Sequence, residues 1–285
     1  MKVVILGCSG MLGSALAEQL NYRFEVVGIS RSKHPLSSYI CDFTDFRGLS
    51  EILDKIGAGV IVNVAAITNL NYCESHIYEA FSLHFDLSKM LAQRPEKTIY
   101  ISTDSVFDGE HGDYDELSKV RPLNVYAMSK LLGEAPVIVA GGLVLRTNIY
   151  GFNKYKPGNS LFEWAVSNIA SKTKMTGYTD IYFNPVSVFA LSEIIEFCIS
   201  HNYSGLFNIG SNKPISKADF LKHIVKLVDS EYKLLSFSEQ PNSPLRRPKN
   251  TILNVNKSDL FNLPKVDFLE DLSRAVREYS SGSTF

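Results

Sequence analysis

Lys2-Val3-Val4-Ile5-Leu6-Gly7-Cys8-Ser9-Gly10-Met11-Leu12-Gly13 (KVVILGCSGMLG) decides the reading of this chain. Lys2–Leu6 is a short apolar run that ends at a glycine, the pattern of a buried strand. Gly7, Gly10 and Gly13 then fall in a G-x-x-G-x-x-G pattern, and Met11–Leu20 continues with helical periodicity. A strand, a glycine turn and a helix in that order leave backbone N–H groups at the helix N-terminus facing a potential anion. The glycines permit a tight turn, close approach of a pyrophosphate and close packing of helix on strand. Gly7, Ser9, Gly10, Met11, Leu12 and Gly13 are therefore the candidate cradle for a dinucleotide. The pattern gains its weight from its place at the first strand–helix junction.

The alternation continues outward. Residues 24–29, 60–64, 98–102 and 142–146 read as strands. Residues 45–56 read as a helix, with Leu49, Ile52, Leu53 and Ile56 on one face. One long helix is predicted over 72–93 and another over about 124–135. Continuously apolar strands separated by helices imply a parallel sheet covered on both faces. The fold class is α/β: a Rossmann-type doubly wound parallel sheet with a smaller, mixed C-terminal lobe. Residues 1–150 are assigned to the dinucleotide domain, completed by part of 180–210, and 151–285 mainly to a substrate lobe. In that second part Leu161–Ala170, 188–199 and Lys217–Val228 read as helices and 206–209 as a strand. Residues 154–159 form an open polar loop, and 239–250 a proline-rich loop with two adjacent arginines.

Composition narrows the function. With 285 residues, 45% hydrophobic and 21% charged, the chain is an ordinary globular protein. A net charge of −1 gives no global basic field to hold a nucleic acid. No apolar stretch approaches the roughly 18 residues of a transmembrane helix, and the run before Gly7 is too short for a signal peptide. A cytoplasmic protein without membrane or nucleic-acid partners is expected. Cys8, Cys41, Cys73 and Cys198 lie far apart, without C-x-x-C spacing, and the six histidines are scattered. Reduced thiols and no metal site follow.

Tyr126-Ala127-Met128-Ser129-Lys130 places a phenol and an ammonium four residues apart on one helix face. The cation is expected to favour the phenolate and so lower the tyrosine pKa. A phenol so tuned can protonate the oxygen of a carbonyl that receives hydride. Thr103, at the end of the preceding strand, can bond the same oxygen. Thr103, Tyr126 and Lys130 are thus the candidate catalytic set, with Tyr126 and Lys130 also touching the cofactor. The second strand is followed by Ile29-Ser30-Arg31-Ser32-Lys33, with no carboxylate. Arg31 suits a 2′-phosphate, which points to NADP(H), with NAD as the alternative.

These strings resemble the extended short-chain dehydrogenase/reductases and, within them, the dTDP-4-dehydrorhamnose reductase group. The resemblance is carried by VVILGCSGMLGSAL at the start, CDFTD at 41–45, NVAAITNLNYCE at 63–74 and ISTDSVFDG at 101–109. PLNVYAMSKLLGE at 122–134, LRTNIYG at 145–151 and RRPKNTILN at 246–254 extend it through most of the chain. It implies Asp42 and Phe43 at an adenine, and Ala65, Ala66 and Thr68 along the cofactor. It implies Ser105 and Asn148 near a sugar, and Arg247 on a diphosphate; Asp104, a residue type that caps and turns loops, is also a candidate for the sugar hydroxyls. Two positions depart from the group's pattern. Ser105 stands where a tyrosine is common, and Asn148-Ile149-Tyr150-Gly151 stands where a segment containing tryptophan is common; the single tryptophan is Trp164. The expected function is an NADPH-dependent oxidoreductase acting on a nucleotide-linked 4-keto-6-deoxy sugar. An epimerase or dehydratase with bound NAD, and a non-catalytic NADP-binding regulatory subunit, are the alternatives. A homodimer is left open.

Overall fold

A computed structural model describes residues 1–282. The chain opens with β1 (Lys2–Leu6), α1 (Met11–Leu20), β2 (Glu25–Ser30), β3 (Tyr39–Ile40), α2 (Phe46–Ile56) and β4 (Val60–Asn63). Then come α3 (Leu70–Ser75), α4 (Ile77–Phe81), a π-helical turn (Ser82–Asp86), α5 (Leu87–Ala92) and β5 (Lys97–Thr103). After a 3₁₀ turn (Asp104–Val106) follow α6 (Val125–Val139), β6 (Leu143–Tyr150), α7 (Leu161–Ala170), β7 (Met175–Tyr178), β8 (Tyr182–Phe183) and β9 (Pro185–Ser187). The remainder is α8 (Val188–Ser200), β10 (Gly205–Ile209), β11 (Ile215–Ser216), α9 (Lys217–Val228), β12 (Leu235–Ser238), α10 (Asn256–Leu260) and α11 (Phe268–Gly282).

The main sheet runs β10-β6-β5-β4-β1-β2-β3, with every pair parallel. Val3 to Leu6 are fully buried because helices cover both faces. One core lies under α1 and α8, with Val3, Ile5, Leu16 and Ile195. The other lies under α2 and α5, with Val4, Leu6, Leu53 and Leu91. From β1 the chain builds outward through β2 and β3, then crosses to β4 and continues the other way. The strand order therefore reverses between β1 and β4, the place where parallel sheets open a ligand crevice. The doubly wound sheet and the smaller mixed lobe are as the sequence reading has them.

Three elements differ from expectation. The single helix over 72–93 is broken. His76 leaves the helical region (φ −130°, ψ 58°), and the π turn at Ser82–Asp86 adds a second irregularity. The helix expected to stop at 135 continues through Pro136 to Val139. The strand expected at 142–146 reaches Tyr150, because Asn148–Tyr150 pair with β9. Pairing between residues 37 positions apart is invisible to local periodicity.

The lobe is fastened where it leaves and re-enters the sheet. Asp271 on α11 accepts the Tyr150 hydroxyl at 2.9 Å, the Ser187 N–H at 2.8 Å and the Ser187 hydroxyl at 2.5 Å. Two small pairings, β11 with β8 and β12 with β7, complete it.

Candidate active site

A cleft of about 760 Å³ opens at the carboxyl ends of β1, β4 and β5. Gly7 has φ +93°, the left-handed region that favours glycine. Its N–H donates to the Ile29 carbonyl at 2.9 Å, and its own carbonyl accepts the Gly10 N–H at 3.0 Å. A Cβ on Gly13 would stand 2.1 Å from the Gly7 oxygen, so only glycine lets α1 pack this closely on the turn. The helix α1 begins without a side-chain cap. By contrast α2, α6, α7, α8 and α9 are capped by Asp45, Asn124, Ser160, Ser187 and Ser216. The first-turn N–H groups of α1 thus have no intrahelical or capping acceptor, which suits a phosphate.

Among the cofactor candidates, Gly10, Met11, Leu12, Gly13, Ala66, Thr68, Tyr126 and Lys130 line this cleft. Gly7 shapes the turn beneath it. The Ser9 carbonyl is taken by Asn153 Nδ2 at 2.9 Å. Ala65 is buried, with its N–H donated to Asn63 Oδ1 at 3.2 Å. Phe43 sends its ring into the core rather than toward the cleft. Arg31 is exposed beyond β2. Its charge helps hold the Asp42 carboxyl below the usual range, after the two hydrogen bonds from Thr44. The segment 154–159 is not open. Lys154 pairs with Glu18 at 2.8 Å, Gly158 N–H donates to Glu163 at 3.0 Å, and residues 156–159 form one wall of the cleft.

The three catalytic candidates face the same space. Thr103 ends β5, beside Thr147 on β6. Asn124 caps α6 by accepting the Ala127 N–H at 2.9 Å, and Glu74 accepts the Val125 N–H at 2.8 Å. These bonds fix the turn that carries Tyr126. The expected tuning of Tyr126 by Lys130 is not what this geometry provides. Burial pushes the Tyr126 phenol up to about 12; a hydrogen bond with Thr103 opposes the rise and the Asp104 charge adds to it. Lys130 points elsewhere, donating to the Ile101 carbonyl at 2.5 Å with its ammonium 4.0 Å above the Tyr100 ring. Burial lowers its pKa to about 7.

A second cavity, of about 590 Å³, adjoins the cleft. Asp104, Ser105 and Asn148 border both, and Arg247 lies on the far one. Asp104 is buried and takes four side-chain donors: Asn148 at 2.7 Å, Thr251 at 2.5 Å, and Thr103 and Ser105 at 3.2 Å each. It is the knot of this wall. The proline-rich loop is held over the cavity by Asn124 Nδ2, which donates to the Arg246 carbonyl at 3.1 Å.

The family model described as RmlD substrate binding domain matches residues 1–281. The chain belongs to the RmlD substrate binding domain family. This agrees with the resemblance drawn from the motifs. The chain is 28% identical over 273 residues to the probable low-salt glycan biosynthesis reductase Agl14 of Haloferax volcanii, covering 90% of each. It is 26% identical over 277 residues to a dTDP-4-dehydrorhamnose reductase of Sinorhizobium fredii, again covering 90% of each. In fold it is similar to the dTDP-4-dehydrorhamnose reductase of Bacillus anthracis str. Ames solved in complex with NADP. That likeness has a TM-score of 0.87 at 23% identity, over 97% of this chain and 99% of the other.

In this RmlD-family chain three site residues were not legible from the motifs. His84 is fully buried on the π turn, with its ring edge-to-face to Tyr126 at 5.8 Å. Thr147 lines the cleft, buried, and its hydroxyl has no partner among the described residues. Trp164 comes from α7 to the second cavity, which Asn148 also lines. The lobe thus brings a tryptophan to this wall by a route other than the segment after Arg146-Thr147. Among the described residues, no helix is long and apolar enough to cross a membrane.

Proposed function

We propose that this chain is an NADPH-dependent oxidoreductase that reduces a nucleotide-linked 4-keto-6-deoxy sugar. One observation carries the reading. A cleft shaped for a dinucleotide and a separate cavity meet at Asp104, Ser105 and Asn148, with the Thr103 and Tyr126 hydroxyls on the cleft side of that meeting. The relatedness to a dTDP-4-dehydrorhamnose reductase supports the choice of substrate class.

The residues present fit NADP(H). The uncapped start of α1 would take the pyrophosphate, Arg31 the 2′-phosphate, Ala66, Thr68 and the unpaired Thr147 hydroxyl the length of the cleft, and Lys130 a ribose hydroxyl. When bound, the reduced nicotinamide supplies hydride. The remaining work belongs to side chains. A phenol with a pKa of about 12 is fully protonated near neutrality, so Tyr126 holds the proton that the substrate oxygen must receive. The Thr103 hydroxyl bonds the same oxygen and orients it. Ser105, Asn148 and Asp104 place the sugar ring, and Arg247 grips the diphosphate. Residues 1–150, completed by β9, α8 and β10, hold the dinucleotide, and the rest of the second half holds the sugar nucleotide.

The test follows reduced-nicotinamide absorbance with a 4-keto-6-deoxy nucleotide-sugar. One cofactor is expected to be consumed per ketone. Tyr126→Phe keeps the ring, so it should bind NADPH normally while losing about 10²–10⁴ in kcat. Sugar conversion without cofactor consumption would mean an epimerase. Cofactor binding with no conversion of any sugar would mean a regulatory subunit.

A further inference from the structure

Lys217 occupies an electrostatically costly position that nothing in the motifs explains. It is the first residue of α9, where the helix dipole disfavours a cation. Its backbone N–H is bonded to the Ile181 carbonyl at 2.8 Å, so the residue is fixed at the cavity wall. Its side chain reaches the second cavity, with the ammonium 3.4 Å from the centre of the Phe183 ring. Burial lowers its pKa to about 8, with the Asp104 charge opposing the shift.

No carboxylate among the described residues pairs with it. The acid in its own helix turn, Asp219, is taken by Ser216 at 2.7 Å and Lys222 at 2.9 Å. Asp104 is already occupied by four donors. The cavity is lined by Lys174, Lys217 and Arg247 against the single acid Asp104. A desolvated cation against an aromatic face, with no carboxylate in hydrogen-bond reach, gains most from an oxyanion, because charge-assisted hydrogen bonds are about twice as strong as neutral ones. Lys217 is thus one of three cations on the cavity, with Lys174 and Arg247, and the one whose charge is buried within reach of the wall built on Asp104.

We propose that Lys217 anchors an oxyanion of the substrate, a phosphoryl or a sugar carboxylate oxygen, inside the second cavity. The proposal rests on the reading of that cavity as the nucleotide-sugar site. Phosphoryl and carboxylate oxygens offer the ammonium the same chemistry; a 6-deoxy sugar has no carboxylate, so a carboxylate contact would replace the substrate class proposed above, and the ligands below separate the two.

The test is calorimetric binding of inorganic pyrophosphate, thymidine diphosphate, UDP-glucose and UDP-glucuronate to wild type, Lys217→Met, Lys217→Gln and Lys217→Arg. Loss of pyrophosphate and diphosphate affinity by ~10-fold or more in the two neutral variants, largely restored by Lys217→Arg, identifies a phosphoryl contact. Unchanged diphosphate binding with loss of a preference for the glucuronate identifies a carboxylate contact. Affinities that are the same for every ligand in all four proteins overturn the proposal, as does a wild type that binds none of them. If Lys217→Met fails to fold, the comparison of Lys217→Gln with Lys217→Arg decides. None of these measurements requires turnover. A protein that binds diphosphate through Lys217 but reduces no sugar would sink the reductase reading and leave this one standing.

Discussion

The His84 and Ser129 side chains are joined at 2.8 Å, and this bond ties the wall of the cleft to the helix of the Tyr/Lys pair. The Ile67 N–H donates to His84 Nε2 at 3.0 Å, so the proton of the neutral ring is on Nδ1 and His84 donates to Ser129. The Ser129 hydroxyl in turn donates to the Tyr126 carbonyl at 2.9 Å. The segment after β4 is thereby linked to the turn between Tyr126 and Lys130.

That link predicts a pH dependence. Burial, with help from the Lys130 charge, lowers the His84 pKa from its ordinary 6.5 to about 2. The neutral ring belongs to the folded state, while the unfolded chain takes up a proton below pH 6.5. The stability His84 contributes is therefore complete above pH 6.5 and declines as pH falls, by at most about 1.4 kcal/mol per unit. His84→Gln should flatten this slope in denaturant titrations at pH 4 to 7 by about one proton, and should raise KM for NADPH more than it lowers kcat. An unchanged slope would place the titrating group elsewhere.

Lys130 should show the same sign in a higher pH window. Its folded-state pKa, lowered to about 7 by burial, lies below the ordinary 10.5, so the folded state resists the charge that the unfolded chain readily carries. The penalty grows as pH falls from 10.5 toward 7 and is constant below. Lys130→Met, though inactive, is expected to gain stability over wild type most at and below pH 7, with the gain shrinking toward pH 10. A difference that does not vary with pH would contradict the shift.

Cofactor choice rests on Arg31. A charge-assisted bond to a 2′-phosphate is worth about 1.5–3 kcal/mol, or roughly 10- to 150-fold in affinity. NADPH should bind that much more tightly than NADH, and Arg31→Ala should remove most of the difference. Equal wild-type affinities in fluorescence titrations of both cofactors would remove the basis for the assignment.

Arg247 borders the second cavity but not the cleft, so its contact should be the same in ground and transition states. Arg247→Ala is expected to raise KM for the sugar nucleotide with kcat nearly unchanged, and to weaken competitive inhibition by a nucleoside diphosphate. A fall in kcat at constant KM would show that the residue acts at the reacting carbon.

The alternation of strands and helices along the first half and the glycine turn could be read directly because each is a local pattern. Lys2–Leu6, Met11–Leu20, Leu161–Ala170 and Lys217–Val228 keep their predicted bounds. What escaped reading depends on distant partners. The strand β9 is three residues long and exists because β6 offers it an edge. Lys130 was expected beside the Tyr126 hydroxyl because both share a helix face, yet the buried Ile101 carbonyl claims its ammonium. His84 looked like one of six scattered histidines, and only the π turn aims its ring inward. Trp164 reached the second cavity from a helix whose periodicity gave no sign of it.

The carboxylate of Asp271 has a consequence for how the protein is made. Its partners Tyr150 and Ser187 lie 121 and 84 positions earlier in the chain. At synthesis rates of about 5–20 residues per second, Tyr150 is made some 6–24 s before the group that accepts its proton exists. Through that interval the three donors at the junction with the lobe have only water to bond, so this fastening can close only after residue 271 has been made. Synthesis of the glycine-turn sheet alone is therefore not enough to lock the two halves through Asp271.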